Sequence, residues 1–201
     1  MRTRFPLLVL LALAVGACAT PRAGGRAAGV APATTAAART TTARATAPQK
    51  VQAKFPPPGL VSTARRRPAP TLWVTAFDGR TVTLEGFRGR PVLVSFFESW
   101  CPICQEEQPD LSQIARQFAG RVGFIGVSYH DTVAAGRDYQ RRFGVSYPLA
   151  NDASGRTWAR WQVPYQPVTV LVDKQGRIAE RFDGGTTGGT LHAALAWLVD
   201  E

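Results

Sequence analysis

Pro91-Val92-Leu93-Val94-Ser95-Phe96-Phe97-Glu98-Ser99-Trp100-Cys101-Pro102-Ile103-Cys104 is the stretch whose reading decides the fold. Its first half is a continuous apolar run, the pattern of a strand buried on both faces. Gln105 to Phe118 continues with a helical pattern. Two cysteines three apart therefore stand at a strand-to-helix junction, where they can close into a small disulfide ring and reopen. The first faces the positive end of a helix, which favours thiolate and lowers a thiol pKa from about 8.5 to roughly 3.5–7.5. Cys104 lies one turn further in, within reach of Cys101 and less accessible. Pro102 suits the first turn because its missing N–H would have no helical partner. Thiol exchange needs an attacking thiolate and a second thiol that resolves the mixed disulfide. Half a zinc site and a static structural disulfide are the competing readings. A zinc site lacks its second ligand pair, because there is no other CxxC and His130 and His192 stand alone. No metal is expected.

Outward from this junction the pattern is one of alternating strands and helices. Leu72 to Phe77, a turn at Asp78-Gly79, and Thr81 to Leu84 read as an N-terminal hairpin. Val122 to Val127 is a second buried strand, Thr132 to Phe143 a helix, and Tyr147-Pro148-Leu149 a short extended segment. Ser154 to Trp161 reads as a short helix and Val168 to Val172 as a strand. Lys174-Gln175-Gly176 turns into a hairpin strand over Arg177 to Phe182. Leu191, Leu195 and Leu198 at i, i+4 and i+7 place an amphipathic helix at the end. The Gly184 to Gly189 run lacks the Lys-Ser/Thr ending of a phosphate loop and reads as a link into that helix. The fold class is α/β, a central mixed β-sheet flanked by helices.

The N-terminal part has a different character. Met1 to Ala17 reads as a secretory signal, with Arg2 and Arg4 ahead of an apolar run from Leu7 to Val15 that is too short to span a bilayer. Residues 18–67, rich in Ala, Thr, Arg, Gly and Pro with Phe55 as the single aromatic, read as a disordered tether. The folded domain is expected over 68–201. The chain carries 24 Lys+Arg against 14 Asp+Glu, a net of +10. Residues 1–70 hold 11 of those cations and no acid, which leaves 13 against 14 beyond them, a net of −1. The basicity belongs to the leader and tether, which argues against nucleic acid as a partner and for anionic lipid headgroups.

Val15-Gly16-Ala17-Cys18 resembles the bacterial lipobox, whose cysteine becomes the lipidated first residue of the mature protein. An ordinary cleaved signal with a chance cysteine is the alternative. Of the three cysteines, a lipidated Cys18 leaves Cys101 and Cys104 as a pair. The expected location is extracytoplasmic, on the outer face of a membrane, with a lipid anchor.

Phe96 to Pro109 as a whole resembles the thioredoxin-like TlpA/ResA/DsbE family of exported thiol–disulfide oxidoreductases, a redoxin domain. Further matches are the Phe77 to Val82 hairpin, Gly126-Val127-Ser128 with Asp131, Tyr147-Pro148-Leu149 with Asp152, and Pro167 to Ile178. The resemblance spans about residues 70–201 and implies a thioredoxin-like fold with a central α/β insertion. It implies Cys101 as nucleophile, Cys104 as resolving cysteine, and Pro167 as the cis-proline beside the disulfide, with Pro164 the rival for that place. Trp100 and Gln166 would meet the substrate, although packing is an equal reading of Trp100. Glu107 matches an acidic residue near the site that could shuttle protons; a solvated helix position is its alternative. No cofactor beyond the Cys101–Cys104 disulfide is implied. The implied partners are protein thiols and disulfides and an extracytoplasmic electron donor, met by a single copy of this chain.

Three positions depart from the pattern. Ser95 stands where thioredoxin has a buried Asp. Gln166 is unusual before the cis-proline. Glu98 occupies a place that is usually small, where it could add a negative charge near the pair. The expected function is a membrane-tethered oxidoreductase, reductive in cytochrome c or metal-site maturation. The alternatives are a peroxiredoxin-like peroxidase, which expects Thr or Ser where Glu98 stands, and a Sco-like copper chaperone, which spaces its cysteines one residue wider.

Overall fold

In the computed structural model, residues 56–201 form a seven-stranded sheet, and these are the residues the structure describes. The expected signal segment 1–17, Cys18 and most of the expected tether lie outside them. The strands are β1 (Trp73–Ala76), β2 (Thr81–Thr83), β3 (Val92–Phe96), β4 (Gly123–Ser128), β5 (Leu149–Asn151), β6 (Val168–Val172) and β7 (Ile178–Asp183). Their spatial order is β2-β1-β5-β4-β3-β6-β7. The central β5-β4-β3 pairs are parallel and the outer pairs antiparallel. The helices are α1 (Pro102–Gln117), α2 (Val133–Arg142), α3 (Arg156–Arg160) and α4 (Gly188–Asp200). This is the mixed, thioredoxin-like α/β architecture expected, with α2, β5 and α3 lying between β4 and β6 in the chain.

Side chains of a strand point alternately to its two faces, and both faces are dry here. Val92, Val94 and Phe96 of β3 join Ile125 and Val127 of β4 and Val168, Val170 and Val172 of β6 in one core, closed by Trp158 and Trp161. Leu93, Phe124 and Leu171 face the other core, closed by Leu111 and Ile114 of α1, by Phe118 at its C-cap, and by Leu191, Leu195 and Leu198 of α4. All five residues of β3 and of β6 are buried. Burial on both faces is the reason the sequence shows unbroken apolar runs there.

Two expectations are corrected. The extended segment placed at Tyr147-Pro148-Leu149 is instead the strand Leu149–Asn151. Pro148 has no N–H to give to a ladder; its carbonyl accepts from Gly126 N–H at 2.9 Å, and pairing begins after it. The tether placed up to residue 67 ends earlier, because residues 57–67 lie on the domain. Val61 N–H donates to the Ala179 carbonyl at 2.8 Å, and Ile178 N–H to the Arg67 carbonyl at 2.8 Å. Arg66 is buried, with its Nη1 3.2 Å from Asp173 Oδ2 and 2.7 Å from Glu201 Oε2. Backbone pairing and a buried ion pair hold this segment, and neither depends on apolar composition.

Candidate active site

β3 ends at Phe96, and the chain turns through Glu98 to Trp100 into α1. Cys101 is the N-cap of that helix and Pro102 opens its first turn. The two cysteines form a disulfide. Cys101 Sγ accepts from Cys104 N–H at 3.2 Å, so the sulfur meets one of the donors that a helix start leaves without an intrahelical partner. Both residues are almost fully buried, while Trp100 and Ile103 beside them are 59% and 48% exposed.

Among the described residues the cis peptide bond is Gln166–Pro167, and Pro164 is not its site. Phe96 pairs with Val168 across β3 and β6, which sets Pro167 next to the active-site turn. The Pro167 carbonyl accepts from Gly184 N–H at 2.9 Å. Gln166 is half-buried, and Tyr165 before it is 50% exposed. Trp100, Ile103 and Tyr165 thus put exposed apolar surface around a pair of otherwise covered sulfurs.

Glu107 is half-buried on the second turn of α1, and its Oε1 accepts from Thr186 N–H, tying the helix to the loop before α4. Burial raises its carboxyl above the ordinary range, partly offset by that N–H. Ser95 is buried in mid-strand. His130 and His192 are exposed, the latter against Phe118 with ring centroids 5.1 Å apart and the rings tilted by 55°.

Several residues around the site carried no role in the sequence. The Tyr139 hydroxyl, from α2, donates to the Cys104 carbonyl at 2.9 Å. Gln108 Nε2 donates to the Tyr147 hydroxyl at 2.9 Å and to Ser112 Oγ at 3.0 Å, which builds a buried polar network behind α1. Burial pushes both tyrosine hydroxyls far up, so they act as neutral donors and acceptors. Asp131 accepts from Ser99 N–H at 2.9 Å and from the Ser99 hydroxyl at 2.6 Å. Gln105 Nε2 donates to the Ser99 carbonyl at 2.7 Å. The active-site turn is therefore fixed from both sides.

A family model described as the AhpC/TSA family matches residues 66–181. The soluble secreted antigen MPT53 of Mycobacterium bovis is 34% identical over 108 residues, 54% of this chain and 59% of that protein. This chain thus matches less than two thirds of the length of that relative. The thiol-disulfide oxidoreductase ResA of Bacillus thuringiensis is 26% identical over 128 residues, 63% of this chain and 74% of that protein. Among solved structures, a secreted Mycobacterium tuberculosis disulfide oxidoreductase homologous to E. coli DsbE is 28% identical with a TM-score of 0.57, covering 62% of this chain and 94% of its own. A secreted thiol-disulfide isomerase from Corynebacterium glutamicum is 28% identical with a TM-score of 0.65, covering 71% and 91%.

Proposed function

The chain belongs to the AhpC/TSA family, and from that membership we propose that it is an extracytoplasmic thiol–disulfide oxidoreductase acting on protein thiols and disulfides. The observation that carries the reading is the Cys101–Cys104 disulfide at the N-terminus of α1 beside cis Pro167. In the reduced protein the Cys101 thiolate attacks one sulfur of a partner disulfide. A Cys101–partner bond forms, and the other partner sulfur leaves as thiolate and takes up a proton. Cys104 then attacks Cys101 Sγ, which releases the second partner thiol. The partner gains two electrons and the pair ends as the disulfide seen here; a dithiol donor restores it. The same steps run backward oxidise a partner.

Cys101 is the attacking group because it caps the helix, where thiolate is favoured. Cys104 is held inside the first turn. Exposed Trp100 and half-buried Gln166 line the approach, where backbone next to Pro167 would pair with an extended substrate segment. Glu107, half-buried with a raised carboxyl, is suited to pass protons to and from the pair. A peroxidase is less well supported: at the position where it expects a hydroxyl, Glu98 is fully buried with Oε1 bonded to the Tyr129 and His130 N–H groups. The direction proposed is reductive, in cytochrome c or metal-site maturation, as the resemblance implies. A reduction potential near about −120 mV, the strongly oxidising extreme, overturns that direction.

A lipid anchor at Cys18 accounts for the third cysteine, and relatives named as secreted favour an extracytoplasmic site. Loss of detergent-phase partitioning in Cys18→Ala tests the anchor. The test of the activity is disulfide reduction of a protein substrate. Cys101→Ser is expected to abolish it, and Cys104→Ser to accumulate a mixed disulfide through Cys101. Turnover that survives Cys101→Ser overturns the reading.

A further inference from the structure

Glu98 lies three residues before Cys101 and is fully buried. Its Oε1 accepts from Tyr129 N–H at 3.0 Å and His130 N–H at 2.9 Å, and lies 3.2 Å from His130 Nδ1. Its Oε2 has no hydrogen-bond partner. Its backbone carbonyl accepts from Cys101 N–H at 3.1 Å. Asp131 reciprocates from the facing loop through its two bonds to Ser99. Two carboxylates thus cross in opposite directions between the active-site turn and the loop from β4 to α2. Asn151 Nδ2 braces the far side by donating to the Asp131 carbonyl at 2.8 Å.

Removing a carboxylate from water costs several kcal/mol unless its bonds are replaced, and here one oxygen stays dry. One acceptor oxygen would suffice to hold the two N–H groups. What a carboxylate adds over any neutral acceptor is charge, placed in a dry site where charges act strongly. We propose that Glu98 is an electrostatic positioning residue: held by the crossed carboxylates, its charge opposes the Cys101 thiolate and makes the disulfide pair more strongly reducing. The inference rests on the exchange chemistry proposed for Cys101. A like charge disfavours ionisation, and a less stable thiolate means a less stable reduced form. The α1 N-terminus pulls the other way, so the reactivity of Cys101 is set between the two. The titratable groups that meet Glu98 across the turn are the His130 imidazole, with Asp131 beside it on the same loop. His130 is 62% exposed, and it is the one contact of Glu98 that can be removed without opening the core.

The test uses the full chain in its reduced state, with Cys101 alkylation followed against pH and the pair equilibrated with glutathione. Gln at position 98 keeps an acceptor for both N–H groups and removes the charge. Glu98→Gln is expected to move the alkylation midpoint down by about one pH unit and to shift the equilibrium about tenfold toward the dithiol. His130→Ala, on an exposed side chain, removes the Nδ1 contact from Glu98 and is expected to move the midpoint, because the surroundings of the carboxylate change. An unmoved midpoint in Glu98→Gln overturns the inference. Should that variant not fold, His130→Ala decides alone: a moved midpoint supports the inference and an unmoved one overturns it. A wild-type pair that cannot be reduced and alkylated refutes the exchange chemistry itself, which is a separate result.

Discussion

The two ends of β6 are chemical opposites. At its C-terminal end, Asp173 Oδ1 accepts from Gln175 N–H at 3.0 Å and Arg177 N–H at 2.8 Å, and Oδ2 meets the Arg177 and Arg66 guanidiniums. Arg66 Nε also donates to the Val61 carbonyl at 2.9 Å, and Arg66 Nη1 reaches Glu201. Asp173 and Arg66 there tie the segment before β1, the β6–β7 turn and Glu201 together. At the N-terminal end stand cis Pro167, exposed Tyr165, Trp100 and Ile103, and the half-satisfied carboxylate of Glu98. One end has its charges paired and its backbone tied. The other keeps apolar surface open and a buried oxygen unbonded, features that cost stability and that the proposed exchange chemistry would use. Stability and chemistry are thus separated along a single strand, about five residues apart.

The strongest way to break that separation is at the paired end. Arg66→Ala leaves Asp173 buried with one cation fewer, and is expected to destabilise the fold by about 3 kcal/mol, the low end for a broken buried pair because Arg177 remains. Burial alone would raise the Asp173 carboxyl, but bonds from the Arg177 backbone and side chain and from Arg66 outweigh it and hold it below the ordinary range. A lowered folded pKa gives stability that is present above the unfolded value of about 3.9 and lost as pH falls through the folded one. Urea unfolding curves of wild type and variant are therefore expected to differ at pH 7 and converge in acid. The reduction potential is expected to stay put; a shifted potential in Arg66→Ala would join the two ends again.

A carboxylate between the two ends sharpens the contrast. Glu180 pairs with Leu171 in mid-strand, is buried, and has an Oε2 with no partner. Gly59 passes so close above it, at φ +99°, that a Cβ there would overlap Glu180 Oε1. Burial pushes the carboxyl up to about 7. Between the ordinary value of 4.5 and about 7 the native state holds a proton that the unfolded chain releases. Stability contributed here falls as pH rises through that window and stays low above it. Glu180→Gln is expected to flatten the profile and to gain on the order of 1–2 kcal/mol at pH 8, with no gain at pH 4. Chemical denaturation at both pH values checks this, and equal gains at both would show that ionisation is not the cause.

The reactive end was the more legible of the two in the sequence. Val92 to Phe96 and Val168 to Val172 read as strands because both faces are dry, and Cys101, Pro102 and Cys104 read as a helix start because each suits its place in the first turn. Pro167 stood out because it directly precedes a strand. The paired end was invisible for a physical reason. Residues 57–67 hold on through backbone bonds and one arginine, and Ala-, Arg- and Pro-rich composition resembles a linker whether or not it docks. Glu98 was flagged as a charge near the pair but without what holds it, because its partners are 31 and 32 residues away, and no local pattern encodes that meeting. The bond between Glu107 and Thr186 was hidden in the same way, since a Gly/Thr-rich loop signals flexibility rather than an acceptor's partner.

The smallest expected change in stability, and a sharp test of the open end, is Trp100→Ala. At 59% exposed, the indole leaves little cavity when removed, so unfolding is expected to shift by less than about 0.5 kcal/mol, as for an ordinary surface substitution. If its exposed face receives a partner chain, the variant loses apolar contact only when the partner is a protein. Catalytic efficiency on a protein disulfide is then expected to fall about tenfold, equivalent to about 1.4 kcal/mol of binding at the transition state. Reaction with a small disulfide reagent is expected to hold near wild type, because the sulfurs and the α1 N-terminus are untouched. Equal losses on both substrates would mean that Trp100 acts by packing on Cys101. The exposed apolar rim would then be a by-product of the turn rather than the surface that a partner uses.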